Sequence, residues 1–142
     1  MRITGFLLLL CLALPQAWAE TLDLGINQHA LHAETAATPQ SREHGLMQRS
    51  KLCADCGMLF VFPHAGRYLF WMKDTPLPLS IAFISADGSI INIAEMQANT
   101  PDPHPAQGDA LYALEMNSGW FARNGIRPGD KVRGLGQAPK GQ

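Results

Sequence analysis

The sequence predicts an α+β domain that is mainly β: a compact, barrel-like or strongly curved sheet, antiparallel or mixed, carrying two short helices. Three observations predict it. Apolar and polar residues alternate over short runs, the period of a half-buried strand. Turn chemistry recurs between those runs, at Asp87-Gly88 and at Arg127-Pro128-Gly129-Asp130. Only two segments carry helix-start signals, near Thr38 and near Asn117.

The elements follow in order. Thr21 to Ile26 alternates strictly and reads as a strand, with a second short one over Ala30 to Glu34. Thr38 is an N-cap and Pro39 the first helical residue of a helix expected to run to about Arg49. Gly45 falls inside it, at a cost of roughly 1 kcal/mol against Ala, which close approach to a neighbouring strand explains. Met58 to Phe62 is an apolar run with the length of a buried strand, and Pro63 to Gly66 is a turn. Arg67 to Met72 reads as a further strand. Thr75 to Leu79 holds two prolines and is barred from the middle of a sheet. Ser80–Ser85 and Ser89–Ala94 form a hairpin around Asp87-Gly88. Pro101, Pro103 and Pro105 make residues 99–109 an extended surface loop, in which His104 is expected to be solvated. Ala110 to Met116 is a strand, Asn117 caps a short helix over 118–124, Gly125 ends it, and Lys131 to Arg133 is the last strand. A single domain over residues 20–133 results, followed by a flexible tail over 134–142.

The first 19 residues are predicted to be a cleaved secretory signal. Arg2 gives a positive start, and Phe6 to Leu14 is apolar but too short for a bilayer of roughly 30 Å. Pro15 and the small residues of Ala17-Trp18-Ala19 then place cleavage between Ala19 and Glu20. A periplasmic or secreted protein is expected, with no transmembrane segment in its mature form. Loss of the segment removes Arg2 and no acid, so 11 Lys+Arg become 10 against 12 Asp+Glu, and the net charge moves from −1 to −2. That balance, without a basic stripe, argues against nucleic acid as a partner. Cys11 leaves with the signal. Cys53 and Cys56 remain, an even count that favours a disulfide outside the cytoplasm.

Six segments together resemble one family. They are Gly45-Leu46-Met47-Gln48-Arg49, Gly57-Met58-Leu59-Phe60-Val61-Phe62-Pro63 and Phe70-Trp71-Met72-Lys73-Asp74-Thr75, then Pro78-Leu79-Ser80-Ile81-Ala82-Phe83-Ile84, Leu114-Glu115-Met116-Asn117-Ser118-Gly119 and Ile126-Arg127-Pro128-Gly129-Asp130-Lys131-Val132. In order and spacing they resemble the DUF192 proteins, small bacterial and archaeal domains of unknown function, often exported. The resemblance implies a compact, strand-dominated α/β domain. It implies no activity, cofactor or catalytic residue. Ser80 stands where the family pattern usually has Asp, and the Cys53/Cys56 pair lies outside that pattern.

The Cys-x-x-Cys pair has three readings. A structural loop disulfide leads, worth about 2 kcal/mol because the loop is short. Redox exchange needs a lowered thiol pKa, usually from a following helix, but a strand follows here and Asp55 opposes a thiolate. A metal site needs two further ligands, for which His44 and His64 are the candidates. Haem attachment is excluded because Gly57, not His, follows Cys56. Met47, Met58, Met72, Met96 and Met116 raise Cu(I), but three of them sit in apolar runs where packing is their ordinary role.

Alternation sets Trp71 and Lys73 opposite Phe70 and Met72, leaving an aromatic beside Lys73 and Asp74 at the surface. Glu115 interrupts an apolar strand, so it is either solvated or paired inside with Arg49 or Lys73. The candidate binding groove is therefore Trp71, Lys73, Asp74, Glu115 and Arg49. The sequence points to an exported binding or accessory module for a small ligand or an envelope protein, without a cofactor. The alternative is a thiol–disulfide redox or metal-binding protein using Cys53 and Cys56.

Overall fold

The computed structural model describes residues 21–142. The predicted signal segment, its cleavage point and Cys11 lie outside the described residues. Within them the chain forms β1 (Thr21–Ile26), β2 (His29–Ala36), α1 (Pro39–His44), β3 (Cys56–Gly66), β4 (Leu69–Phe70), β5 (Leu79–Ile84), β6 (Ile90–Met96), β7 (His104–Pro105), β8 (Ala110–Asn117), α2 (Trp120–Arg123) and β9 (Val132–Arg133). Seven strands make one sheet in the order β6-β5-β8-β3-β2-β1-β9, curled into a half-barrel. The sheet is mixed: β2 and β3 run parallel across a connection that holds α1, and the other neighbours are antiparallel. Mainly-β architecture with two short helices is what the sequence predicts.

Both faces of this sheet are covered over its central strands β3, β5 and β8. On β3, Leu59 and Val61 join one apolar cluster with Leu22, Leu24, Leu114, Met116, Trp120 and Phe121. Met58, Phe60 and Phe62 of the same strand join another, with Leu46, Met72, Ile81 and Phe83. The continuous apolar run over 58–62 is thus a strand buried on both sides. The second face is roofed by α1, the turn after it, and the segment from Tyr68 to Thr75.

Several boundaries differ from the sequence expectation. α1 ends at His44, not near Arg49. Its start is built as predicted, with Pro39 following the Thr38 cap, and Thr38 and Ser41 also close a capping box. Gly45 stops it by turning to φ 48°, where a Cβ would also sit 3.1 Å from the Phe60 ring. β3 continues through the Pro63–Gly66 segment read as a turn. Of the strand expected over Arg67–Met72 only Leu69–Phe70 pairs, with His104–Pro105 in a separate two-stranded sheet. Asn117 belongs to β8 and donates from Nδ2 to the Cys53 carbonyl, while Gly119 caps α2. The segment after Gly134, read as a flexible tail, lies against the domain. Leu135 is buried, and the last residue, Gln142, gives its N–H to Ala37 and takes the Arg42 guanidinium on its carbonyl.

Candidate functional site

Glu115 sits on β8 between Met58 of β3 and Ile81 of β5. Alternation does place it opposite Leu114 and Met116, but the face it reaches is the roofed one. It is 4 % exposed. Its carboxyl makes no hydrogen bond or ion pair with any of the described residues, and burial pushes its pKa up to about 8. Desolvation causes this shift, and no cation among the described residues opposes it.

Above Glu115 lies a cavity of about 250 Å³. Phe60 and Phe62 line it from β3; Tyr68, Phe70 and Trp71 line it from the roofing segment; Arg42, Glu43 and His44 line it from α1. The aromatic walls brace one another. Phe62 and Tyr68 stack with ring centroids 3.5 Å apart, and Phe70 meets Phe60 edge-on at 4.9 Å.

Three of the polar side chains around the cavity are committed elsewhere. Arg42 donates to the carbonyls of Ala37, Val61 and Gln142 and lies over the Phe62 ring at 5.6 Å. The Tyr68 hydroxyl donates to the His64 carbonyl, and the Thr75 hydroxyl to the Lys73 carbonyl. Glu115 is left facing the cavity with its hydrogen-bonding capacity unmet by the described residues.

The roofing segment is held by its backbone. Met72 is buried and its N–H donates to Thr100. Asp74 adopts φ 51°, which Asp tolerates better than most residues, and its carbonyl accepts from Gln48. This turn pushes Trp71 out to 53 % exposure, and Lys73 lies over its ring at 5.5 Å. Trp71 is a shared wall. On its far side a second cavity of about 360 Å³ is lined by Lys73, Asp74 and residues 99–101.

The predicted groove is therefore brought together only in part. Trp71 and Glu115 share the first cavity, and Trp71, Lys73 and Asp74 share the second. Arg49 lines neither. It forms a two-point ion pair with Glu34, both contacts at 2.7 Å, which holds its pKa above the ordinary arginine value. Pairing of Glu115 with Arg49 or Lys73 is not what the chain adopts.

Cys53 and Cys56 stand at disulfide distance, with Cα atoms 5.0 Å apart. Their loop is pinned to the domain: the Asp55 carboxylate accepts from the Trp120 indole at 2.9 Å, and the Asp55 carbonyl from the His32 N–H. The pair lines neither cavity. His44 faces the Glu115 cavity instead. No cluster of three or more His, Cys, Asp or Glu side chains able to hold a metal ion occurs among the described residues, so His44, His64, Cys53 and Cys56 are not assembled into a ligand set. His104, expected to be solvated, has its Nε2 buried and without a hydrogen-bond partner among the described residues.

Sequence reasoning missed a second polar centre. Ser80 is fully buried, donates to the Glu95 carboxylate at 2.6 Å and accepts the Gly119 N–H at 2.7 Å. Ser118 and Gly119 also donate to Glu95. Ser80 and Glu95 are directly opposed across β5 and β6, so a carboxylate reaches the neighbourhood of position 80 from the next strand. The signal was available: Glu95 lies on the partner strand of the hairpin that Asp87-Gly88 announces.

Fold and site together define a class: a one-domain, curled-sheet protein whose sheet is roofed on its second face, with an unpaired carboxyl at the floor of an aromatic cavity. The chain belongs to the DUF192 family, described as an uncharacterised ancient conserved group, whose model matches residues 20–134. A crystal structure from Sinorhizobium meliloti 1021, described as a candidate transcription regulator, is similar at 33 % identity and a TM-score of 0.82, covering 85 % of this chain and 98 % of that one. A protein of unknown function from Novosphingobium aromaticivorans DSM 12444 is similar at 35 % identity and a TM-score of 0.79, covering 84 % and 89 %. No curated protein matches the chain. No helix among the described residues is long and apolar enough to cross a membrane.

Proposed function

We propose that this protein is an exported binding module, and that the cavity above Glu115 is where it takes a small ligand. The observation that carries the reading is Glu115 itself. A buried carboxyl without a partner costs stability, and such groups concentrate where a ligand completes them. Aromatic walls with one convergent polar group are the ordinary make-up of a small-molecule site, and the volume lies just below the usual range of about 300–1,000 Å³. The second cavity is the weaker candidate, since Lys73 and Asp74 are exposed and already solvated. The regulator description of the S. meliloti protein does not transfer readily. The mature chain is acidic, and Arg42, Arg49 and Lys131 are engaged by carbonyls or carboxylates. Nucleic acid is therefore not the proposed partner.

The disulfide fits this reading as a staple for the loop that carries Asp55, not as a redox centre. Export rests on residues 1–19, and mass spectrometry of the protein from its host should find an N-terminus at Glu20. Recovery of the soluble chain still beginning at Met1 would refute it.

The binding reading is tested by NMR of the purified protein against a library of small amines, carboxylates and sugars. Hits should move the Glu115, Phe70 and Trp71 side-chain resonances together, and Trp71→Ala should weaken them. Shifts confined to the Lys73–Thr100 side, or none at all, would remove the Glu115 cavity as the site.

A further inference from the structure

We infer that the Glu115 cavity is selective for a small organic cation, an alkylammonium group, with the Glu115 carboxylate as its counter-ion and the rings of Phe62, Tyr68, Phe70 and Trp71 around its carbon substituents. The inference deepens the proposed function and rests on it.

An anion is disfavoured, because Glu115 and Glu43 of the lining are acidic and Arg42 is held by three backbone carbonyls at 2.6–2.9 Å. A bare metal ion needs several oxygen, nitrogen or sulfur ligands, and no such cluster occurs among the described residues. A sugar presents many hydroxyls, but the Tyr68 and Thr75 hydroxyls are already donating to the His64 and Lys73 carbonyls. A cation with an apolar coat matches what remains. One positive charge satisfies Glu115, and ring faces attract cations through their quadrupole. One ring of the cavity already carries a cation: the Arg42 guanidinium is 5.6 Å from the Phe62 centroid.

Binding should then depend on pH, because only ionised Glu115 attracts the ligand. The charged and titratable groups that also face the cavity are Arg42, Glu43 and His44 of α1 and Tyr68 of the roofing segment. The flanking strands present the apolar Met58 and Ile81 beside Glu115.

The test is calorimetric titration of the purified protein with choline and with its uncharged isostere 3,3-dimethylbutan-1-ol, at pH 9 and pH 6. Choline should bind at least tenfold more tightly than the alcohol at pH 9, with the ratio shrinking at pH 6. Glu115→Gln should bring the ratio close to one. Glu115→Asp keeps the charge and should keep the preference at reduced affinity, which separates charge loss from misfolding. Equal binding of choline and the alcohol would overturn the cation inference while leaving the cavity a ligand site. Unchanged preference in Glu115→Gln would overturn it too, and binding of neither probe would overturn it outright, leaving the cavity itself to the library screen.

Discussion

Two glutamates on neighbouring parts of one sheet have opposite fates. Glu95 receives hydrogen bonds from Ser80, Ser118 and the Gly119 N–H, and its neighbourhood is electrically finished. Glu115 is more deeply buried, yet it receives none from the described residues. The difference teaches which polar centre belongs to the architecture and which is left open. The Glu95 centre ties β5 and β6 to the start of α2. The Glu115 carboxyl ties nothing among the described residues, and its burial costs stability.

The largest expected effect breaks the comparison at Glu115. Its folded pKa of about 8 lies above the ordinary value of 4.5. Between these values the native state keeps a proton that the unfolded chain has lost, so its contribution to stability is full below about pH 4.5. It falls as pH rises and levels off above about pH 8. At about 1.4 kcal/mol per pKa unit the loss is up to about 5 kcal/mol. Glu115→Gln should remove this slope and be the more stable protein at pH 9. Parallel denaturation curves for the two proteins from pH 5 to pH 9 would contradict the assignment.

Next in size is the finished centre. Ser80→Asp, which installs the residue more usual in the family, sets a second carboxylate against Glu95 and removes the hydroxyl donor. A loss of about 2–3 kcal/mol is expected in urea denaturation. Adding Glu95→Gln should recover part of it, with the coupling read from the double-mutant cycle. Additive losses would mean that the two positions do not share a charge site.

The disulfide lies behind this same centre, since Asp55 holds Trp120 and Trp120 opens the helix that Gly119 caps. Cys53→Ser with Cys56→Ser should leave the domain folded and cost about 2 kcal/mol. Unfolding of the double variant at room temperature would show the loop to be essential to the architecture.

The smallest stability effect belongs to the open site. Trp71→Ala should cost under about 1 kcal/mol because the ring is half exposed, whereas Trp120→Ala, at 2 % exposure, should cost about 3–5 kcal/mol. Thermal melts of the two variants compare them directly, and similar losses would make Trp71 a structural residue.

Much of the fold was legible because it is written in short-range chemistry. The alternation over Thr21–Ile26, the Asp87-Gly88 hairpin and the Thr38-Pro39 helix start each settle a local choice. What was not legible is tertiary. Gly45 reads as a tolerated interior residue until Phe60 is seen beside it. Residues 67–72 have the composition of a strand but bond mainly outside the large sheet, to Thr100 and to the His104–Pro105 edge. The face of Glu115 followed from the period of two, but its burial did not. That depends on a roof made of α1 and an irregular segment, and no periodicity announces such a cover. Arg49 was misplaced for a related reason, as its partner Glu34 lies on a strand that β2–β3 pairing alone brings near.

The position of Trp71 as a wall between two cavities has an optical consequence. The described residues hold two indoles, Trp71 at the solvent boundary and Trp120 in the core. Their emission should separate into a long-wavelength component that acrylamide reaches and a short-wavelength component that it does not. The protein thus carries its own reporter for the candidate site, with an internal reference that occupancy of the cavity leaves unchanged.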